Sequence, residues 1–72
     1  MIVVIDKPEE NIPEYSAWAV DCPNGVILGT GMTIEEAKAD FRNSVEELRD
    51  AFDTDDWREY LKEDMYFYLR ID

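Results

Sequence analysis

Thr33-Ile34-Glu35-Glu36-Ala37-Lys38-Ala39-Asp40-Phe41-Arg42-Asn43-Ser44-Val45-Glu46-Glu47-Leu48-Arg49-Asp50-Ala51-Phe52 is the stretch on which the fold turns. Ile34, Ala37, Phe41, Val45, Leu48 and Phe52 recur at steps of three and four, and at 100° per residue they fall within an arc of roughly 80°. That spacing predicts one amphipathic helix with a narrow apolar stripe. Thr33 and Glu36 stand as a capping box, the hydroxyl accepting a helix N–H and the carboxylate reaching back to the cap. Lys38, Arg42 and Arg49 flank the stripe, where their alkyl stems cover its edge. Glu35, Glu36, Asp40, Glu46, Glu47 and Asp50 take the opposite, solvent side.

Upstream of this helix the pattern changes to that of strands. Ile2, Val3, Val4 and Ile5 are apolar in succession within Met1–Asp6, which predicts a strand buried on both faces and central in a sheet. Lys7–Pro13 is a polar connection whose two prolines bar regular pairing. Glu14–Val20 is a second strand, with Tyr15, Ala17 and Ala19 on one face and Ser16, Trp18 and Val20 on the other. Asp21-Cys22-Pro23-Asn24-Gly25 reads as a turn. Val26–Leu28 reads as a short third strand that Gly29-Thr30-Gly31 ends. The small Ala17 and Ala19 mark the face a helix approaches closely, which sends Trp18 to the other side.

Downstream, Asp53-Thr54-Asp55-Asp56 holds poor helix formers and good caps, a break before a further short helix. Trp57, Tyr60 and Leu61 at i, i+3, i+4 form its buried side. Met65–Ile71 alternates Met65, Phe67, Leu69 and Ile71 with Tyr66, Tyr68 and Arg70, a closing strand. The order β-β-β-α-(short α)-β predicts an α+β domain with a mixed four-stranded sheet. The last strand lies parallel to the central first one after a right-handed crossover, and the long helix covers one face. One long helix cannot cover two faces. Either the Trp57–Leu61 turn folds over the second face, or that face contacts another chain.

Composition narrows the function. Seventy-two residues make one small domain, 1–72, with a marginal core. Apolar residues at 46% and aromatics at 12% are too abundant for intrinsic disorder. The longest aliphatic run, Ile2–Ile5, is far short of a bilayer span, and no secretory signal pattern opens the chain, so a soluble cytoplasmic protein is expected. Cys22 is the only cysteine and there is no histidine, which excludes an internal disulfide and any histidine-dependent catalysis or metal ligation. The formal charge of −11 opposes nucleic-acid binding, since phosphate contacts need clustered cations. A small basic protein suits this field better, although acidity also serves plain solubility.

Tyr15-Ser16-Ala17-Trp18-Ala19-Val20-Asp21-Cys22-Pro23 and Gly31-Met32-Thr33-Ile34-Glu35-Glu36-Ala37 resemble the HicB-type domain, with its Y-S-A-W/Y-x-P-D-L-P-G hairpin and its G-D-T-x-E-E-A helix opening. The resemblance runs from the first strand through the helix, and the last strand fits the family layout. It implies a partial ribonuclease-H-like fold. It also implies kinship with bacterial type II antitoxins, which bind and occlude HicA, a small basic messenger-RNA interferase. Val20 departs from the family's usual proline, Cys22-Pro23-Asn24-Gly25 from L-P-G, and Met32 from the acidic residue of G-D-T. No DNA-binding tail follows the last strand within these 72 residues, so operator binding is not carried over.

Two groups of residues are candidates for a partner-binding surface. Glu35, Glu36, Asp40, Glu46, Glu47 and Asp50 offer a phosphate-like acidic face to a basic toxin; the alternative is a solvated face with Glu35–Lys38 and Glu46–Arg49 pairs. Trp18, Tyr66 and Tyr68 are residue types that dominate interface hot spots; the alternative is a second core under the short helix. Asp53, Asp55 and Asp56 resemble a calcium loop, but Trp57 and Arg58 break its pattern, and capping explains them better. Given the ribonuclease-H-like sheet that the resemblance implies, Asp6, Asp21 and Asp64 are candidates for a two-metal nuclease centre; the strand-end positions of Asp6 and Asp21 have a simpler conformational explanation. Cys22 has no neighbouring cation in sequence to activate it and reads as a small buried side chain. The expectation is a non-catalytic, cofactor-free interaction module that binds a HicA-like protein. The alternative is a solitary homo-oligomer, such as a homodimer.

Overall fold

The computed structural model describes residues 1–22, 27–51 and 55–70, with the backbone alone at 55–58. The elements follow the order β1 (Ile2–Asp6), β2 (Tyr15–Ala19), β3 (Leu28–Gly31), α1 (Ile34–Ala51), α2 (Asp55–Lys62) and β4 (Tyr66–Leu69). The sheet order is β3-β2-β1-β4, with β1 antiparallel to β2, β2 antiparallel to β3, and β4 parallel to β1. This is the α+β, mixed four-stranded architecture that the sequence predicts. The parallel pair requires a long crossover, and α1 and α2 supply it.

The core lies between the sheet and the helices. Val3, Ile5, Ala17 and Ala19 from the strands meet Ala37, Phe41 and Val45 from α1 and Leu61 from α2. Phe41 is fully buried and takes Phe67 edge to face, with centroids 6.1 Å apart. Lys38 and Arg42 lay their cationic ends over the Phe67 ring at 5.4 and 5.1 Å, closing the β4 side of the core as the flanking position of these residues predicts. Thr33 Oγ1 accepts the Glu36 N–H at 3.1 Å, so the cap forms. The Glu36 carboxylate, however, accepts from Met32 N–H at 2.8 Å, one residue before the position a capping box specifies.

Two expectations need correction. The third strand is Leu28–Gly31, so the glycines that read as its end lie within it. A Cβ on Gly29 would stand 2.3 Å from Phe41 N, and one on Gly31 2.6 Å from Ala37 N. The glycines are there because α1 rests its backbone on β3, a close approach that ends no strand. Likewise β1 is central but covered on one face only, with Val3 and Ile5 buried while Ile2 is 43% exposed. The cause is α2. Its Tyr60 and Leu61 join the same core as α1, and Arg49 donates from Nε and Nη2 to the Leu61 carbonyl at 3.0 and 2.7 Å. Both helices therefore sit on one side. The turn at 23–25, Val26, the break at 53–54, Phe52, Ile71 and the side chain of Trp57 lie outside the described residues.

Candidate functional site

Strand alternation decides which side chains the helices leave uncovered. The registers Val4↔Trp18, Val4↔Tyr68, Ile2↔Tyr66 and Trp18↔Leu28 put these residues on one face, opposite the core. Tyr66 and Tyr68 are each 56% exposed, and Leu28 and Val20 are about half exposed. The structure thus brings Trp18, Tyr66 and Tyr68 together, as their alternation predicts. It does not bury them as a second core. Ile2, Val4 and Leu28 belong to this surface too. The sequence hides them because four apolar residues in a row resemble a strand covered on both sides, and because Gly29 and Gly31 read as the end of the third strand.

At the margin of this face Trp18 donates its indole N–H to Asp6 Oδ2 at 2.8 Å. Arg70 pairs with Asp6 at 3.4 Å and lies 5.9 Å from the Trp18 ring. The trio holds the indole in one orientation and satisfies both charges internally. A cleft of about 350 Å³ opens beside it, lined by Asp6, Lys7, Pro8, Glu9, Ile12, Ser16 and Arg70.

The second candidate surface is the outer side of α1. Its six carboxylates do different things. Glu36 is committed to Met32 N–H, and Asp40 accepts from Thr30 N–H at 2.8 Å, while Ser44 donates to the Leu28 carbonyl at 3.1 Å. Asp40 and Ser44 so occupy the outer hydrogen-bonding edge of β3, which blunts it against strand addition. Glu35 meets Lys38 at 3.8 Å from a largely exposed position, a contact of little energetic weight. The anticipated Glu46–Arg49 pair does not form, because Arg49 is turned to the Leu61 carbonyl. Among the described residues no ion pair engages Glu46, Glu47 or Asp50.

No family model matches the chain, and neither a curated protein nor a solved structure does. Its own geometry therefore has to carry the functional reading. Among the described residues no helix is long and apolar enough to cross a membrane.

The three aspartates weighed as a metal centre do not meet: Asp21 and Asp64 line one cleft with Glu63 at the start of β1, and Asp6 stands at its other end. Asp21 accepts from Ile2 N–H at 3.2 Å and from Tyr60 Oη at 2.7 Å, which ties it to the start of β1. Asp6 lies four strand residues away, roughly 13 Å. The backbone carbonyl of Asp64 accepts from the Met1 ammonium at 3.0 Å. Among the described residues no group of three or more carboxylate or cysteine side chains converges as ligands would. Of the supposed calcium loop, Asp53 and the side chains of Asp55 and Asp56 lie outside the described residues. Cys22 is half-buried against the core.

Among the described residues, Asp21 and Tyr60 form the most perturbed pair of titrating groups. Burial acts to raise the Asp21 carboxyl, but the hydrogen bonds from Tyr60 and Ile2, with the nearby N-terminal ammonium, hold it below the usual carboxylate range. Burial first, and then the hydrogen bond to Asp21, carry the Tyr60 phenol well above the ordinary tyrosine range. The pair joins α2 to the end of β2. It is a structural clasp.

Proposed function

We propose that the protein is a non-catalytic interaction module of the HicB type, which binds a small basic HicA-like interferase and covers its active site. The observation that carries this reading is the outer side of α1. Glu46, Glu47 and Asp50 stand on a helix anchored by a buried stripe, and the cations of that same helix are engaged elsewhere: Arg49 on the Leu61 carbonyl, Arg42 against Phe67, and Lys38 against Phe67 and Glu35. An acidic strip on a fixed helix, with no ion pair formed to it among the described residues, attracts a basic partner and steers its approach. The hairpin and helix-cap residues that resemble the family support the same reading, since Gly31, Thr33 and Glu36 each have a local structural task here.

The test is mixing with a small basic HicA-like protein, which the neighbouring reading frame is expected to encode. A stoichiometric complex that abolishes RNA cleavage is expected. Combined Glu46→Gln, Glu47→Gln and Asp50→Asn should weaken it at least ~10-fold, chiefly through slower association at low salt. Cleavage undiminished by an equimolar amount of this protein would overturn the proposal. The bare sheet face favours a second reading, a solitary oligomeric domain, and such a protein would ignore the basic partner while still self-associating.

A further inference from the structure

The two edges of the sheet are finished differently. At β3 the outward backbone groups are taken, since Asp40 accepts the Thr30 N–H and Ser44 donates to the Leu28 carbonyl. At β4 they are open. Tyr66 N–H donates to the Met1 carbonyl at 3.0 Å and Arg70 N–H to the Ile5 carbonyl at 2.9 Å, so the even-numbered residues turn their backbone groups towards β1. The odd ones, Phe67 and Leu69, turn theirs outward. Among the described residues none of those N–H and C=O groups has a partner. The strand itself, Tyr66-Phe67-Tyr68-Leu69, holds none of the prolines or charges that commonly protect an edge.

We infer that β4 takes up an extended segment of a partner chain as a fifth strand, apolar in character and with one carboxylate placed opposite Lys38 and Arg42. Side chains flank the open edge on both faces of the sheet. Tyr66 and Tyr68 stand 56% exposed on one, while on the other Phe67 is half-buried and Leu69 41% exposed. A strand laid along β4 covers all four. On the helix side Lys38 and Arg42 lean over the Phe67 ring, so a residue of that strand facing α1 meets two cations. Among the described residues the carboxylate already in contact there is Glu35, 3.8 Å from Lys38 and largely exposed. Further along, the neighbouring cleft of about 380 Å³ is balanced, Arg42, Arg49 and Lys62 against Glu46, Glu63 and Asp64. The positive surplus is therefore local, and the net charge of −11 repels a strongly acidic segment, which limits the fit to a single carboxylate. A second copy of this chain fits less well. Two-fold pairing of β4 with itself turns the Lys38–Arg42 pairs of the two copies towards each other, and β4 has no carboxylate to answer them. The inference goes beyond the binding of a basic protein and does not rest on it, because the acidic strip lies on the outer side of α1.

Amide hydrogen exchange of the whole chain, read residue by residue by NMR, tests this with a blocked hexapeptide of alternating threonine and valine bearing one central glutamate, at about 1 mM. The Phe67 and Leu69 amides should slow at least ~10-fold on adding the peptide, while that of Thr30, already bonded to Asp40, should not change. The lysine counterpart of the peptide should bind at least ~10-fold more weakly, and Arg42→Glu should remove that preference. Arg42 is exposed, and circular dichroism verifies that the variant folds. Methylating alternate peptide nitrogens in the two possible frames needs no variant: one methylated peptide should bind and the other should not, since only one frame faces β4. Phe67 and Leu69 amides left unprotected, or equal binding of the two methylated peptides, overturns the inference. So does a dimer in sedimentation equilibrium whose Phe67 and Leu69 amides are protected without peptide, which gives the edge to a second copy. Failure of the basic protein to bind leaves the protection of β4 untouched, so the two readings fail separately.

Discussion

Gly29→Ala is the substitution to which this fold should be most sensitive. The added Cβ would lie 2.3 Å from Phe41 N, 2.6 Å from Phe41 Cα and 2.8 Å from the Ala37 carbonyl oxygen. Ordinary contact begins at 3.4 Å, so the helix must retreat by roughly 1.1 Å or the strand must bow away. The obstructing atoms are helix backbone, and no rotamer change relieves them. A gap of that size forfeits ~25–50% of each dispersion contact it opens. The contacts at risk are those of Ala37, Phe41 and Val45, all fully buried. Overpacking costs ~1–3 kcal/mol as a rule, and a backbone collision belongs at the upper end, ~3 kcal/mol. A domain of 72 residues holds only ~4–11 kcal/mol in total. Melting followed by circular dichroism at fixed protein concentration should show Tm lower by ~12–24 °C. Thr30→Val, one residue away with its side chain exposed, should stay within ~3 °C. A Gly29→Ala protein that also melts within ~3 °C of the parent would refute the claim that α1 rests on β3 backbone to backbone.

Two further outcomes follow from the same geometry. Because Asp21 is lowered when folded, its contribution is present above the unfolded carboxylate value of ~3.9 and is lost as pH falls through the folded one. Tyr60 is raised, so its contribution is complete below ~10 and is lost as pH rises beyond it; urea midpoints across pH should show both limbs shallower in Tyr60→Phe, and an unchanged alkaline limb would count against the clasp. Arg49→Ala should cost ~1.5 kcal/mol by freeing the Leu61 carbonyl, while Glu46→Gln stays within ~0.5 kcal/mol. Equal losses in the two urea titrations would mean that Arg49 serves Glu46 after all.

The α1 helix, its cap, the alternation of β4 and the mixed sheet were legible because each rests on a local period or on a backbone group with one satisfying partner. Tyr66, Tyr68 and Trp18 could be assigned a common face for the same reason: alternation is a property of the strand alone. Local pattern misled at Gly29-Thr30-Gly31, where glycine reads as a strand end when only the opposing helix is out of view. It misled again at Ile2–Ile5, whose apolar run is silent about which side receives cover.

Charge and element order belong to the chain as written, and they sufficed to order four strands and two helices and to set an acidic outer surface. Where α2 would dock was a matter of three dimensions. Leu61 and Tyr60 fill the same core as Phe41, and the Arg49 guanidinium reaches across to hold them there, twelve residues away along the chain. That one choice leaves Tyr66 and Tyr68 exposed and Trp18 half-buried, and it turns Arg49 away from Glu46. Periodicity states which residues of a segment share a side. Only packing among segments decides what, if anything, lies against it.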